Sequence, residues 1–535
     1  MAGAALLALA QALLLVHTAW DKSDTADEPV YIGAAALLWA HRDFTYVRAV
    51  PVLPKWGYAV ALRLADPWTA GTPSEWRSVI THMLWNRKIE RLRANLMAAR
   101  SVTILVTVMG GLFLWAAARR FGEGAALLTL ALWCFSPTVL ANGSLATLDG
   151  WVTAMLCVLM WATVRLVEKP SPGRFAACGV ALGLALGCKV TALVAVPVLM
   201  AVAFHAVWCA GKAGAWRRFA FGTAALGVAA VAVLWALYGF RFGWVGRLVL
   251  PFPDWWLGLK QQSELAAAGH RAYLFGRVSQ RGWWWFYLAA IALKTTVGAQ
   301  ALAVARLLSW LRMRPSRTSL LIDAALLAFP ALLLLVLSAG RTQTGVRYLL
   351  PAFPFVMAWA GRALPDLART FWGGGVALAL ALAAAGAAES LAVHPHHLMF
   401  FNLWAGGPTN GPRYLIHGDD WGQDQRRLGE WIRARSPDGV FYTYYTGMPE
   451  KWGIRYKQAP CEPRRGVYAL HAVEVHRPRR MDEGCLDWLT VEPPDERIGY
   501  SIYIYFVNKE RMERLIAERG RIKPFAQSGS ALQQE

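Results

Sequence analysis

The chain has 535 residues, 56% of them hydrophobic, with a mean hydropathy of +0.33 and a formal net charge of +21. So apolar a composition excludes an ordinary soluble protein of this length. From Leu391 onward there are 20 Lys and Arg against 18 Asp and Glu, so the excess sits in the apolar part, which argues against nucleic acid as a partner.

Taken in chain order, predominantly apolar runs predict membrane helices at about 4–20, 100–118, 121–141, 148–167, 174–188, 190–210, 219–239, 284–305, 319–338, 346–361 and 371–391, most of them near the roughly 20 residues that cross a bilayer. Several of the 27 tryptophans flank these runs, as interfacial belts do. Basic residues cluster in every second connection: Arg119 and Arg120; Arg165, Lys169 and Arg174; Lys212, Arg217 and Arg218; Arg306, Arg312, Arg314 and Arg317; Arg362 and Arg369. The positive-inside asymmetry then places those connections and the amino terminus in the cytoplasm. Segments of about 21–99 and 240–283, and everything after 391, fall outside. The first run lacks a basic leader and a small-residue cleavage site, so it reads as a retained anchor.

The expectation is a polytopic α-helical membrane protein of about eleven spans over residues 1–391, followed by a small soluble α+β domain over 392–535. In that domain Leu428, Trp431 and Ile432 share one face of a helix predicted over 424–434, and alternation over 499–507 predicts a strand. Cys134, Cys157, Cys178, Cys188 and Cys209 lie in apolar runs and read as small hydrophobes. Cys461 and Cys485 lie where oxidation is permitted, so a disulfide between them is open. No cysteine or histidine spacing suggests zinc.

The first outer loop opens Asp21-Lys-Ser-Asp-Thr-Ala-Asp27-Glu28-Pro-Val-Tyr31. Adjacent carboxylates at a membrane surface can act as a general base with its supporting group, or as cation ligands. The same residues also read as an ordinary helix start, with an acid capping the first turn. Asp149 lies where the chain re-enters the membrane from the same side, and a carboxylate at membrane depth is costly enough to be functional or a cap. Lys189, Lys294, Arg341 and Arg347 supply cations on that side, and the 240–283 loop carries six Lys and Arg against two acids. Such cations suit a phosphate held at the surface, or they snorkel to ordinary headgroups. Acids for a base and cations for a phosphate on one face point to transfer from a lipid phosphate.

These elements, in this order, resemble the phospholipid-carrier-dependent glycosyltransferases related to dolichyl-phosphate-mannose–protein mannosyltransferases, of the multi-spanning GT-C fold. The resemblance runs nearly end to end. It is carried by Asp27-Glu28, Pro51-Val-Leu-Pro-Lys55-Trp, Ser136-Pro137 through Asp149, the Gly-rich stretch 179–187 with Lys189, Gly269-His270 through Gly276, Lys294-Thr295 and Arg347-Tyr-Leu-Leu-Pro. Phe401-Asn402 through Gly411, Asp420-Trp-Gly-Gln-Asp424 and Arg497-Ile-Gly-Tyr are its most specific part. The stretch Val47-Arg48-Ala-Val-Pro51-Val departs from the family pattern, and no β-trefoil domain follows.

The resemblance implies an inverting sugar transfer from a polyprenyl-phosphate-linked donor to a hydroxyl of a protein, lipid or glycan. Asp27 is then the base, with Glu28 and Asp149 assisting; Arg347 and Lys189 hold the donor phosphate, with Lys55, Arg341 and Lys294 as further candidates. Tyr31, His270, Tyr273 and Trp421 are the candidates for acceptor or sugar contacts, although Asp420, Trp421 and Gln423 read equally as core and turn residues. No cofactor or metal is required, with a divalent cation left open by the paired carboxylates. The setting implied is a bacterial inner membrane with the site on the periplasmic face. Two rivals remain: a lipid-linked-sugar transporter, for which no internal repeat is seen, and a silent relative, which the three acids argue against.

Overall fold

The computed structural model of the protein describes residues 1–65, 89–211, 213–313, 316–443, 449–477 and 484–519; Lys212, Arg314 and the 66–88 part of the first loop lie outside the described residues. The chain is a multi-pass helical membrane protein with a small sheet domain after its last long helix. Its helices are α1 (Ala2–Asp21), α2 (Glu28–His41), α3 (Leu53–Ala65), α4 (Ile89–Ala118), α5 (Glu123–Cys134), α6 (Pro137–Gly143), α7 (Leu148–Glu168), α8 (Pro172–Leu186), α9 (Ala195–Cys209), α10 (Ala215–Leu237) and α11 (Pro253–Ala268). They continue with α12 (Phe286–Lys294), α13 (Val297–Met313), α14 (Arg317–Ala339), α15 (Phe353–Gly361) and α16 (Ala363–Leu391).

Seven helices among the described residues are long and apolar enough to cross a membrane, and two bent pairs raise the number to nine. The bent pairs are α5 with α6, at 59°, and α12 with α13, at 111°. Among the described residues, then, fewer spans are found than the eleven expected. Helix α8 has 15 residues, about 22 Å of rise, short of a hydrocarbon core of about 30 Å. The run expected at 346–361 splits into a 3-10 segment, Val346–Ala352, and the nine-residue α15, with Pro351 and Pro354 removing backbone donors near the join. Hydropathy counts apolar residues but does not see such breaks.

Two local devices hold the site end of the bundle. A Cβ on Gly179 would lie 2.2 Å from the Leu226 carbonyl oxygen, and one on Gly183 2.8 Å from that of Ala230, so only glycine lets α8 and α10 approach this closely. The sharp break between α12 and α13 leaves backbone groups without helical partners. Asn402 Nδ2 donates to the Ala292 and Thr295 carbonyls at 2.6 and 2.8 Å, and Glu389 accepts from the Val297 amide at 2.7 Å. The Phe401-Asn402 motif thus caps a broken membrane helix.

At the end of the bundle away from the sheet domain, Arg306 pairs with Asp323 at 3.2 Å and Asp366 at 3.0 Å, and Arg362 also reaches Asp323. Two of the basic residues read as loop charges are therefore consumed in a largely buried ion cluster that ties α13, α14 and α16 together.

The sheet domain has five strands: β5 (Val440–Tyr442), β6 (Tyr456–Gln458), β7 (Gly466–His471), β8 (Glu496–Ile498) and β9 (Ile502–Val507), in the order β6-β5-β7-β9-β8. The first three are parallel, and β9 runs antiparallel to both its neighbours. Hairpins β1–β2 (Phe242–Val245, Leu248–Pro251) and β3–β4 (Ala272–Leu274, Arg277–Ser279) belong to the second long loop. Ile502 and Ile504 pack with Leu428 and Ile432 of α17 (Gln425–Arg435), while Tyr503 and Tyr505 pack with Trp488 on the opposite face. The alternation expected at 499–507 is thus a strand covered on both sides. Cys461 and Cys485 form a disulfide.

Candidate active site

The acidic loop after α1 lies between the helical bundle and the sheet domain. Its backbone runs along the Asp420–Asp424 segment, with the Ser23 amide donating to Gln423 O at 3.0 Å and the Ala26 amide to Trp421 O at 3.1 Å. Trp452 Nε1 donates to Asp24 at 3.0 Å, and Arg427 pairs with Asp21 at 2.8 Å. Asp21 and Asp24 are thereby each tied to a residue of the sheet domain.

Glu28 is fully buried. Arg100 Nε and Nη2 each donate to it at 2.7 Å, and the amides of Thr25 and Ala146 donate at 2.9 and 2.8 Å. Arg100 also donates to the carbonyls of Ala19, Lys22 and Ser23. Burial acts to raise the Glu28 carboxyl, and Arg100 outweighs it, holding it below its ordinary value. Glu28 is saturated with donors and faces inward; it closes the turn that aims Asp27.

Asp27 occupies the N-cap position of α2 but makes no capping bond. Its carboxylate, 35% exposed, instead meets Arg347 Nη1 at 3.2 Å. The same Nη1 lies 3.9 Å from Asp149, and Lys189 Nζ lies 2.6 Å from Asp149, whose side chain is only 5% exposed. Asp27, Asp149, Lys189 and Arg347 therefore converge from four separate elements. The Arg347 guanidinium lies over the Trp421 ring at 4.0 Å, and Lys189 over the Tyr348 ring at 4.3 Å. Arg347 Nε is buried with no hydrogen-bond partner among the described residues. A Cβ on Gly345 would fall 2.1 Å from His417 O, so glycine there lets the Arg347 segment press against the sheet domain. Tyr31 lies on α2 near this group; burial and then the Asp27 charge push its hydroxyl well above its usual value.

The other expected residues lie elsewhere. Lys55 is buried and donates to Tyr46 O and Val47 O at 3.0 and 3.1 Å; burial lowers it to about 7, opposed by Asp43 and Asp254. It holds a loop in which Val47 has φ +52°. Lys294 pairs with Asp419 at 2.7 Å and lies 3.5 Å from the centre of the Phe401 ring. Arg341 is exposed beside Gly269, and His270 is exposed at the end of α11. Tyr273 donates to Arg413 O at 2.8 Å inside the sheet-domain core. Asp420 is buried against His471 at 3.0 Å, and Gln423 closes its own turn through Asp419 O and the Trp421 amide. Of that block, Trp421 lies under the Arg347 guanidinium.

Sequence reading missed Arg100 and Lys22. Arg100 carried a usable signal, a cation at the mouth of an apolar run. Lys22 carried none: it meets Asp424 at 2.6 Å and Asp21 at 3.4 Å through folding alone. Asp21, His396 and Asp424 form the one group of carboxylates and histidines close enough to hold a metal among the described residues. The Lys22 ammonium sits in their midst.

Burial acts to raise the Asp424 carboxyl, but Lys22 and His396 hold it well below the usual carboxylate range. Its contribution to stability is then complete above about pH 4, the unfolded value, and is lost as pH falls through the depressed one. Asp24, raised by burial, acts in the opposite sense. Protection against hydrogen exchange across 22–27 and 421–427, taken relative to the intrinsic rate at each pH, should fall below about pH 4 in the wild type. Asp424→Asn should already exchange fast at neutral pH and lack the acid step; a flat wild-type profile would show that this pair does not hold the junction.

No curated protein matches the chain in sequence. By structure it is similar to ArnT from Cupriavidus metallidurans bound to undecaprenyl phosphate, at 15% identity over 94% of this chain and 97% of that one, with a TM-score of 0.48. It is also similar to the Archaeoglobus fulgidus oligosaccharyltransferase, at 12% identity over 85% of this chain and 59% of that one, with a TM-score of 0.44. The family model described as dolichyl-phosphate-mannose-protein mannosyltransferase matches residues 91–238, the part that contributes Arg100, Asp149 and Lys189. Over that stretch the chain carries the sequence pattern of the dolichyl-phosphate-mannose-protein mannosyltransferase family, in agreement with the resemblance read from its motifs.

Proposed function

We propose that the protein transfers a sugar, with inversion, from a polyprenyl-phosphate-linked donor to an acceptor hydroxyl at the end of the bundle facing the sheet domain. The observation that carries this is the meeting of two carboxylates and two cations at one point, with one acid open and the other closed. Asp27, the exposed acid, takes the proton of the acceptor hydroxyl as that oxygen attacks the anomeric carbon. Asp149, nearly buried, holds Lys189 and Arg347 in place. Those two cations meet the charge that builds on the departing phosphate. A phosphate leaves without protonation, so the site needs one base and no strong acid. Fixed cations carry the charge that a metal would otherwise meet, and no cofactor enters the scheme.

The basic clusters and the buried Arg306 cluster lie at the opposite end, which supports a cytoplasmic assignment for that end and an extracytoplasmic one for the site. A bacterial inner membrane suits this arrangement. The test is consumption of labelled polyprenyl-phosphate sugars by the purified chain in liposomes, with release of free polyprenyl phosphate as the readout. Labelled lipid crossing the bilayer unconsumed would replace the transferase by a transporter.

A further inference from the structure

The β1–β2 hairpin follows α10 within a few residues and is rooted on its last turn. Trp235 of α10 contacts Phe240 and Phe242 with ring centroids at 5.5 and 4.9 Å, and its Nε1 donates to Arg241 O at 3.2 Å. The register pairs Phe242 with Pro251 and Trp244 with Val249. Cross-strand partners share a face, so Phe242, Trp244 and Val249 form one side of the ribbon. These three are 59%, 70% and 53% exposed, and Phe240 and Leu248 beside them are 62% and 63% exposed. A two-stranded ribbon presenting so much apolar surface is not stable as such in water.

Its charge is one-sided. Residues 239–252 contain Arg241 and Arg247 and no acid. Arg48 lies just behind, paired with Asp254 at 3.0 Å; Arg241 lies 3.9 Å from the same carboxylate and over the Phe44 ring at 5.3 Å, so Arg247 at the tip is the cation farthest from an acid. Aromatic and aliphatic side chains on one face, arginines at the root and tip, and direct continuity with a 23-residue membrane-crossing helix together describe an element that lies in a lipid headgroup layer.

We infer that the β1–β2 hairpin is a membrane-surface anchor that seats Phe242, Trp244 and Val249 among the lipids of the leaflet at the site end and draws anionic headgroups to Arg241 and Arg247. The occupant is the phospholipid surface itself. This goes beyond the proposed transfer chemistry and touches none of its residues.

The test places a polarity-sensitive label at Val249→Cys in a Cys209→Ala background, the remaining free cysteines being buried. The full chain is reconstituted in phosphatidylcholine vesicles holding a small fraction of nitroxide-labelled phosphatidylglycerol or phosphatidylcholine. Aqueous iodide is expected to quench this label roughly five-fold less than one at Glu510→Cys, on the sheet domain, while headgroup nitroxides quench it strongly. Nitroxide on phosphatidylglycerol is expected to quench more than the same group on phosphatidylcholine. Arg247→Gln should reduce that preference by roughly five-fold, and adding Arg241→Gln should abolish it. Iodide reaching both sites equally would put the hairpin in water and overturn the anchor. Shielding from iodide and nitroxide alike would bury it in protein and overturn it too, and equal quenching by the two lipids would remove the anionic preference.

Discussion

Asp27→Asn should lower sugar transfer by roughly 100- to 10,000-fold, the usual range for a positioned general base, while the donor still binds. The amide keeps the shape of the carboxylate and loses its basicity. Folding should be little affected, since Asp27 makes no capping hydrogen bond and is one-third exposed; a stability change beyond about 0.5 kcal/mol is not expected. Asp149 cannot stand in, because its carboxylate is nearly closed off and already engaged by Lys189 at 2.6 Å. Single-turnover transfer in liposomes, with donor binding followed separately, checks this. Equal activity in the variant would remove Asp27 as the base and leave the family resemblance untouched.

Glu28→Gln should act on a different quantity. The Glu28–Arg100 pair is fully buried on both sides, and removing one partner leaves an uncompensated charge at a cost of about 3–5 kcal/mol. Thermal unfolding in detergent should therefore show a large drop in Tm. The double variant Glu28→Gln with Arg100→Met should recover part of it, because the stranded cation is gone. Transfer per folded molecule should fall only as far as the aim of Asp27 is disturbed. A single variant with unchanged Tm and abolished transfer would instead make Glu28 part of the chemistry.

The contrast between these neighbours shows how far the sequence reaches. Asp27 and Glu28 are equivalent on paper, two acids at a helix start. Folding sends one into a cage of five donors, the Thr25 hydroxyl included, and leaves the other one-third exposed, because Arg100 arrives from a helix more than seventy residues away. The cations divide in the same way. Lys189 and Arg347 converge on the acids, whereas Lys55 is spent on the carbonyls of a tight loop and Lys294 on Asp419. A buried lysine satisfies whichever oxygen the packing offers, and sequence does not say which.

Composition and pattern by themselves determined the membrane class, the presence of a small α+β unit near the C-terminal end, the strand near 499–507 and the helix near 424–434, because these depend on local periodicity and on the cost of putting apolar runs in water. The motifs put Asp27, Asp149, Lys189 and Arg347 among a longer set of candidates and did not separate them from Glu28, Lys55, Lys294 or Arg341. Only tertiary structure decided that Trp421 supports Arg347, that Asn402 caps a broken membrane helix, and that Lys22 stands among Asp21, His396 and Asp424. Each of these joins segments more than seventy positions apart. Their geometry is set by helix breaks and domain docking, which depend on the packing of the whole chain and leave no period in its sequence.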